Sequence, residues 1–155
     1  MLTITRDDGY EFSTDPGRID IDRVHQWLST DAYWAMGRPR DVFVRVVAAS
    51  TVVGVYRPGD GEQVAFARAV TDGALFAWLC DVYVDRSERG RGLGTWMVGS
   101  LRDELVERGV RRILLNTADA HGVYAKHGFT PLAEPDQWMV YDRGNSAVTP
   151  ITRKD

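Results

Sequence analysis

The spacing of hydrophobic residues changes several times along the chain, and each change predicts a new element of secondary structure. Residues 2–5 and 10–13 are short apolar runs on either side of the turn-forming sequence DDG, so we predict two short strands there. Between 20 and 30 the hydrophobic residues follow helical spacing, after a suitable N-cap at Asp20. Residues 39–50 are ambiguous: β-branched residues crowd this segment, but its contiguous apolar pattern also tolerates a helix.

Strand patterns dominate the middle of the chain. Three apolar runs, at 51–57, 63–72 and 74–84, are separated by the turn sequences PGDG and TDG. Short connections of this kind join neighbouring antiparallel strands. We therefore predict a three-stranded meander.

After this meander the hydrophobic period becomes that of a helix, with an apolar stripe that begins at Leu93 and a stop at Gly109. The remaining pattern predicts a strand at 111–116, a short helix at 120–128 and a last strand at 137–142. This order predicts an α/β (α+β layered) fold with a mixed sheet. The strands before and after the long helix are expected to pair in parallel.

Length and composition limit the classes of protein to consider. The chain has 155 residues, 44% hydrophobic and 26% charged, which suits one globular domain; we assign it to residues 1–142, followed by a polar tail over 143–155. No apolar run approaches the roughly 20 residues of a membrane span, and no secretory signal is visible. With one cysteine and a net charge of −3, we expect a cytoplasmic protein with no disulfide, metal, membrane or nucleic-acid partner.

The sequence RGRGLG, which contains Gly90, Gly92 and Gly94, stands between the last strand of the meander and the long helix. A flexible surface turn is the simplest interpretation. A dinucleotide-binding fingerprint does not fit, because the glycine spacing is wrong and five residues separate the strand from Gly90. The third interpretation is an anion site, since backbone N–H groups at a helix N-terminus bind phosphates and glycines let a ligand approach closely.

Two motifs resemble those of the GNAT acetyltransferase superfamily. Arg89-x-x-Gly92-x-Gly94 resembles the family's acyl-CoA signature, and TADAHGVYAKHGF matches a second family segment at Ala120, Tyr124, Gly128 and Phe129. The order of elements is also the family's order, which makes residues 39–50 a helix. One position departs from the family pattern. Where the family usually has Asn, this chain has Thr117, and its own Asn116 stands one residue earlier. The resemblance implies a mostly antiparallel sheet with a splayed parallel pair and about four helices.

The resemblance also implies acetyl-CoA as the donor, with CoA as the product. In the family the pantetheine arm lies between the splayed strands, where it pairs with strand backbone groups. By register from the signature, these groups belong to Val82, near the thioester carbonyl, and Val84, near the pantetheine amides. The other expected cofactor-binding residues are Arg89, Gly90, Arg91, Gly92, Leu93, Gly94, Thr95, Asn116 and Thr117.

Tyr124 is the expected general acid, because its motif position matches the family's tyrosine and a phenol can protonate a leaving thiolate. A base for the amine has two candidates. Asp81 is a carboxylate within an apolar strand, and His121 stands three residues before Tyr124 with a pKa suited to proton transfer.

The resemblance places the acceptor pocket between the first two helices, their loop and the later strands. There Tyr33, Trp34 and Trp78 would supply aromatic walls and Asp31 would hold a cation. The predicted function is direct acetyl transfer to a primary amine of a small molecule or peptide, without a covalent intermediate on Cys80. A non-catalytic acyl-CoA sensor on the same fold is the alternative. A homodimer is compatible with the resemblance.

Overall fold

The computed structural model describes residues 1–143, which form one mixed sheet with helices on both faces. The six strands lie in the order in which they occur along the chain. They are β1 (Thr3–Thr5), β2 (Glu11–Ser13), β3 (Thr51–Tyr56), β4 (Gln63–Thr71), β5 (Phe76–Val84) and β6 (Arg112–Leu114). The four α-helices are α1 (Ile21–Asp31), α2 (Arg40–Ala48), α3 (Leu93–Glu107) and α4 (His121–Ala125). Short 3₁₀ turns occupy Pro16–Arg18, Arg86–Glu88 and Pro135–Gln137.

The strand pairing confirms the predicted fold class. The first five strands pair antiparallel, and β5 pairs parallel with β6 across the long helix α3. The ambiguous segment 39–50 is helical as α2, and its apolar residues Phe43 and Val47 are buried against the sheet. Packing on one sheet face therefore gives this β-branched run a helical conformation that its propensity alone does not favour.

Two hydrophobic cores lie on opposite faces of the sheet. The larger core packs α3, through Met97, Leu101 and Leu105, against one face. The smaller core packs α1 and α2 against the other face, with Phe66 and Tyr83 contributed by the sheet. The two cores hold the sheet rigidly on both sides, so that a cleft within the sheet has fixed walls.

Strand β5 carries an irregularity that opens this cleft. Phe66 pairs with Tyr83 and Arg68 pairs with Cys80, so that Asp81 and Val82 together oppose one residue of β4. Asp81 has a φ of 50°, the single positive φ at a non-glycine residue within 1–143. The parallel pairing with β6 ends at Trp78. Beyond Trp78 the two strands diverge, as the resemblance implies for the splayed pair.

The predicted last strand at 137–142 is wrong within the described structure. The chain forms a 3₁₀ turn at Pro135–Gln137 and continues without strand structure to Arg143. Met139 and Val140 are 96% and 86% exposed. A strand requires a ladder of hydrogen bonds as well as an apolar sequence, and β6 pairs within 1–143 with β5 alone.

Some predicted boundaries also differ. Residues 74 and 75 belong to a turn rather than to β5, because the Asp72 carboxylate accepts hydrogen bonds from the N–H groups of Ala74, Leu75 and Phe76. The expected polar tail, 143–155, lies outside the described residues except for Arg143. Over residues 1–143, no helix combines the length and apolar character that crossing a bilayer requires.

Candidate active site

A cavity of about 750 Å³ lies where β5 and β6 diverge. Its walls come from β5, the α1–α2 loop, the start of α3, the end of β6 and α4. The cavity brings together twelve residues that the sequence selected, which lie far apart along the chain. They are Asp31, Tyr33, Trp34, Trp78, Asp81, Val82, Val84, Arg89, Gly94, Asn116, Thr117 and Tyr124.

The remaining predicted residues do not line this cavity. Gly90, Arg91 and Gly92 belong to the turn that leads into α3, Leu93 and Thr95 lie in its first turn, and His121 is exposed at the start of α4. Gly92 is the N-cap of α3 with a φ of 73°. A Cβ at Gly94 would lie 3.3 Å from Val84 Cγ2, so the turn and β5 approach closely at this point. The structure thus puts Gly94 on the cavity wall and the rest of the glycine turn beside it.

Buried Glu88 anchors the glycine turn, a role that the sequence did not reveal. Its side chain is 6% exposed and accepts a 2.5 Å hydrogen bond from the Tyr10 hydroxyl. Arg57 pairs with it at 3.1 Å and Arg91 at 3.3 Å. Since a buried carboxylate with three donors has little freedom, the turn is held in place before any ligand arrives.

The β5 edge that faces the cavity has no strand partner within residues 1–143 after Trp78. Val82 and Val84 lie in this stretch, with side chains packed on the α3 core. The Val84 carbonyl accepts a 2.9 Å hydrogen bond from Arg89 Nε, which ties the turn to the strand. A backbone edge of this kind can pair with an extended ligand that carries amide groups.

Tyr124 is half-buried and has a hydroxyl with no partner in the described structure. It packs edge-on against Phe129 with ring centroids 5.9 Å apart, and no group within residues 1–143 hydrogen-bonds its hydroxyl. Burial, with the charge of Asp119 and the nearby Tyr33, raises the pKa of Tyr124 to about 12. The phenol therefore holds its proton throughout the neutral range, as a proton donor must.

Asp81 is enclosed by donors. Its Oδ2 accepts hydrogen bonds from Arg38 at 2.7 Å and Arg68 at 2.6 Å, and its Oδ1 accepts one from Trp34 Nε1 at 3.0 Å. Burial by itself would raise the pKa of this carboxyl, but the two arginines outweigh burial and hold it below its usual range. A carboxylate so well stabilised as an anion is a weak proton acceptor.

The arginine partners of Asp81 were not selected from the sequence. The sequence pattern did contain a signal for Arg68, because Arg68 and Asp81 are oppositely charged residues in neighbouring strands of an apolar meander. Asp119 was also not selected, although it lines the cavity and its charge acts on Tyr124. Neither Asp81 nor His121 has the geometry of an obvious base, and that part of the sequence prediction stays a prediction.

Asp31 has partners other than the expected cation. Its carboxylate accepts hydrogen bonds from Arg86, and from the Tyr83 hydroxyl at 2.6 Å, and Arg89 lies 3.5 Å away. The hydrogen bond from Arg86 does most to lower the pKa of Asp31. Asp31 thus orders two arginines beside the cavity, and their combined charge exceeds its own. The mouth is positive and suits a phosphate-bearing ligand.

The aromatic residues of the α1–α2 loop reach across the cavity. Tyr33 and Trp34 contact each other edge-to-face with centroids 4.9 Å apart. The Tyr33 hydroxyl accepts a 3.1 Å hydrogen bond from the N–H of Ala118, in the β6–α4 connection. Trp78, on β5, is 39% exposed. These three residues form an aromatic wall at the end of the cavity near Asp81.

Known proteins with similar sequences or structures share one description. Residues 21–129 match the model of the acetyltransferase (GNAT) family. A Gibberella zeae protein named a putative acetyltransferase is 34% identical over an alignment of 143 residues, and the match covers 79% of this chain and 79% of that one. A crystal structure from Xanthomonas campestris, also named a putative acetyltransferase of this family, has a TM-score of 0.80 and 39% identity, covering 86% of this chain and 92% of that one.

A more distant crystal structure shares the fold. It is named a predicted acetyltransferase with acetyl-CoA from Clostridium acetobutylicum. Its TM-score is 0.64 at 18% identity, and the match covers 86% of this chain and 95% of that one. At this identity the likeness concerns the fold alone.

Proposed function

The chain belongs to the GNAT acetyltransferase family, and from this premise we propose that it transfers the acetyl group of acetyl-CoA directly to a primary amine of a small molecule or peptide. One observation carries the proposal. In the described structure one cavity lies beside the glycine turn at the N-terminus of α3, and it is lined by the β5 edge that has no strand partner beyond Trp78 and by Tyr124, whose hydroxyl has no partner within residues 1–143. The first two features suit binding of the donor, and the third suits the chemistry.

The residues present fit acetyl-CoA. The turn from Gly90 to Gly94 leaves the N-terminus of α3 open to a pyrophosphate. Gly90 and Gly92 have positive φ angles, which suit glycine, and the absence of a Cβ at both leaves room that a side chain would restrict. Arg86 and Arg89 add positive charge at the mouth. The backbone of Val82 and Val84 is positioned to pair with the amides of a pantetheine arm. When bound, acetyl-CoA supplies an activated acetyl group as a thioester.

Tyr124 supplies the proton that the chemistry needs. Acetyl transfer to an amine breaks a carbon–sulfur bond, and the departing thiolate leaves more readily when it is protonated. The Tyr124 hydroxyl has no competing partner in the described structure, and its raised pKa keeps the proton available. The proposed role follows from these two properties together.

The amine must lose a proton before or during attack. Asp81 accepts three hydrogen bonds and is a poor base, whereas the exposed His121 and Asp119 stand beside the Tyr124 end of the cavity. We propose that solvent removes this proton, with Asp119 stabilising the amine as it enters. Asp81 instead holds the α1–α2 loop against the sheet.

A non-catalytic acyl-CoA sensor is the second candidate. It would use the same turn and the same strand edge, but it would have no use for a tyrosine hydroxyl on the cavity wall. The Tyr124 hydroxyl has no hydrogen-bond partner within residues 1–143 and is therefore available to a bound ligand, which favours a role in chemistry.

The first experiment is calorimetric titration of the full chain with acetyl-CoA, 3′-dephospho-CoA and NAD, followed by assay of CoA release with a panel of amines. We expect one-to-one saturation by acetyl-CoA, weaker binding of 3′-dephospho-CoA and none of NAD. Release of CoA that depends on an added amine supports the enzyme. Tight binding with no release from any amine supports the sensor, and no binding at millimolar acetyl-CoA rejects both.

A further inference from the structure

We propose that Arg38 selects an acceptor that carries a carboxylate as well as the amine, so that amino-acid-like molecules are the substrate class. This inference rests on the proposed function and deepens it. It concerns the group of charges formed by Arg38, Arg68 and Asp81 at the aromatic end of the cavity.

The charges of this group do not balance. Two guanidinium groups share one carboxylate, and both contact the same oxygen, Asp81 Oδ2. The side chains of Arg38, Arg68 and Asp81 are 19%, 12% and 2% exposed. A partly buried excess of one positive charge is costly without an anion, and within residues 1–143 neither arginine pairs with a carboxylate other than Asp81.

Most N–H groups of the Arg38 guanidinium have no hydrogen-bond partner within residues 1–143. The guanidinium makes one hydrogen bond within residues 1–143, through one terminal nitrogen to Asp81. Arg68, in contrast, also donates to Ser50 Oγ at 3.2 Å. Both arginines line the cavity. The free N–H groups of Arg38 can therefore form the paired hydrogen bonds that arginine makes with a carboxylate.

The backbone fixes Arg38 in place. Its N–H donates to the Ala35 carbonyl at 3.0 Å, and its own carbonyl lies 2.7 Å from His25 Nε2. The neighbouring Trp34 is held by its hydrogen bond to Asp81. Because the loop that carries Arg38 is already ordered, the guanidinium loses little conformational entropy when a ligand binds. This favours specific recognition of the ligand.

The cavity wall also carries a carboxylate that pairs with neither of these arginines. Asp119 precedes α4 and acts electrostatically on Tyr124, and it has no ion-pair partner among residues 1–143. Asp31 is neutralised by Arg86 and Arg89 at the mouth. The pocket thus offers Arg38 for a carboxylate and Asp119 for an ammonium group, with Tyr33, Trp34 and Trp78 as apolar walls.

Matched pairs of probes test the charge requirement without turnover. We would titrate the CoA-saturated protein and the free protein with phenylacetate and phenylacetamide, and with indole-3-acetate and indole-3-acetamide. We expect at least one acid to bind about 10-fold more tightly than its amide, the usual order for a charge-assisted pair of hydrogen bonds. Arg38→Ala should abolish this preference. Arg40→Ala, which removes a neighbouring arginine paired with Asp22 outside the cavity, should preserve it.

A kinetic measurement complements the titration. The ratio of kcat/KM for L-phenylalanine to that for L-phenylalaninamide should fall about 10-fold in Arg38→Ala relative to the unaltered protein, because amine basicity cancels when the same two substrates are compared.

Three results overturn the inference. They are equal binding of every acid and its amide, a preference that survives Arg38→Ala, and an Arg38→Ala defect confined to acetyl-CoA, which would assign Arg38 to the phosphates of the donor. Failure of the proposed function would look different, because acetyl-CoA itself would not bind or no amine would release CoA.

Discussion

Tyr124 is the single residue on which the proposed chemistry depends most. We expect Tyr124→Phe to lower kcat by 10²–10⁴-fold, the usual contribution of a general acid, while the affinity for acetyl-CoA changes little. The aromatic ring and its packing on Phe129 are kept, so the fold should be unaffected. Pre-steady-state and steady-state CoA release would measure the loss, and calorimetry would measure the affinity.

The raised pKa of Tyr124 also predicts a pH dependence. A general acid must be protonated to act. Activity that depends on Tyr124 would therefore fall as pH rises through the pKa of Tyr124. With that pKa at about 12, kcat should show no decline from this group below about pH 10. A decline of kcat between pH 7 and 9 that disappears in Tyr124→Phe would contradict the burial of this hydroxyl.

Asp81 is the residue whose loss should cost the most stability. Asp81→Asn leaves Arg38 and Arg68 without their anion, and we expect the free energy of unfolding to fall by about 2–4 kcal/mol. Asp81→Ala should cost about 1 kcal/mol more, since asparagine tolerates a positive φ better than alanine does. Denaturant unfolding of both variants measures the difference.

The effect of Asp81 should depend on pH. Its folded-state pKa is lowered, so its contribution is present above the unfolded value of about 3.9 and is lost as pH falls through the folded value. The gap between the unaltered protein and Asp81→Asn should therefore be constant near neutral pH and shrink below about pH 4. If Asp81 acted as the base, kcat per folded molecule would collapse in Asp81→Asn, whereas a positioning role mainly raises the KM of the acceptor.

At the scale of elements, the glycine turn before α3 has a useful internal control. Gly92 and Gly73 both have a φ of 73°, but Gly92 caps α3 and Gly73 lies in the β4–β5 turn away from the cavity. Alanine at either position should cost about 1–2 kcal/mol of stability through the same backbone strain. Only Gly92→Ala should weaken acetyl-CoA binding, and equal binding defects in both variants would indicate a general loss of folded protein.

The packing of α3 on the turn that follows α4 depends on a second glycine. A Cβ at Gly99 would lie 2.6 Å from Cε1 of His127, whose Nε2 is buried without a partner within residues 1–143. Gly99→Ala should therefore destabilise the protein by about 1–2 kcal/mol, because overpacking exceeds the gain in helix propensity.

Removing His127 should reverse this effect. In a His127→Ala background the clash is gone, and Gly99→Ala should become neutral or stabilising by up to about 1 kcal/mol. Thermal unfolding of the two single variants and the double variant completes the cycle. Additive effects would mean that α4 moves away freely from α3 and that this contact does not fix Tyr124.

At the scale of the whole molecule, charge is distributed in a way that the net value conceals. The chain carries a net charge of −3, yet arginines outnumber carboxylates both at the mouth of the cavity and around Asp81. Two ligand groups of negative charge, a phosphate-bearing donor and a carboxylate-bearing acceptor, would be favoured at these places. Local charge therefore matters more than the total for the proposed function.

The fold was largely predictable because its signals are local. The apolar stripe of α3, the turns of the meander and the two glycine-containing motifs each occupy a short stretch of sequence. The segment 137–142 was wrongly predicted for the same reason, since its local pattern suits a strand but a strand also needs a paired edge. The helical state of α2 required the family's order of elements.

The sequence by itself determined the positions of the glycines Gly92 and Gly94, which allow a close approach to the backbone, and of the motif tyrosine Tyr124. Each of these features belongs to a motif only a few residues long. Only the tertiary structure decided how Asp81 is used. Its partner Arg38 lies 43 positions away, and the two meet because α1, α2 and their loop pack on one face of a sheet whose fifth strand is bulged. Residues so distant in sequence are brought together by the packing of layers, which no local pattern encodes.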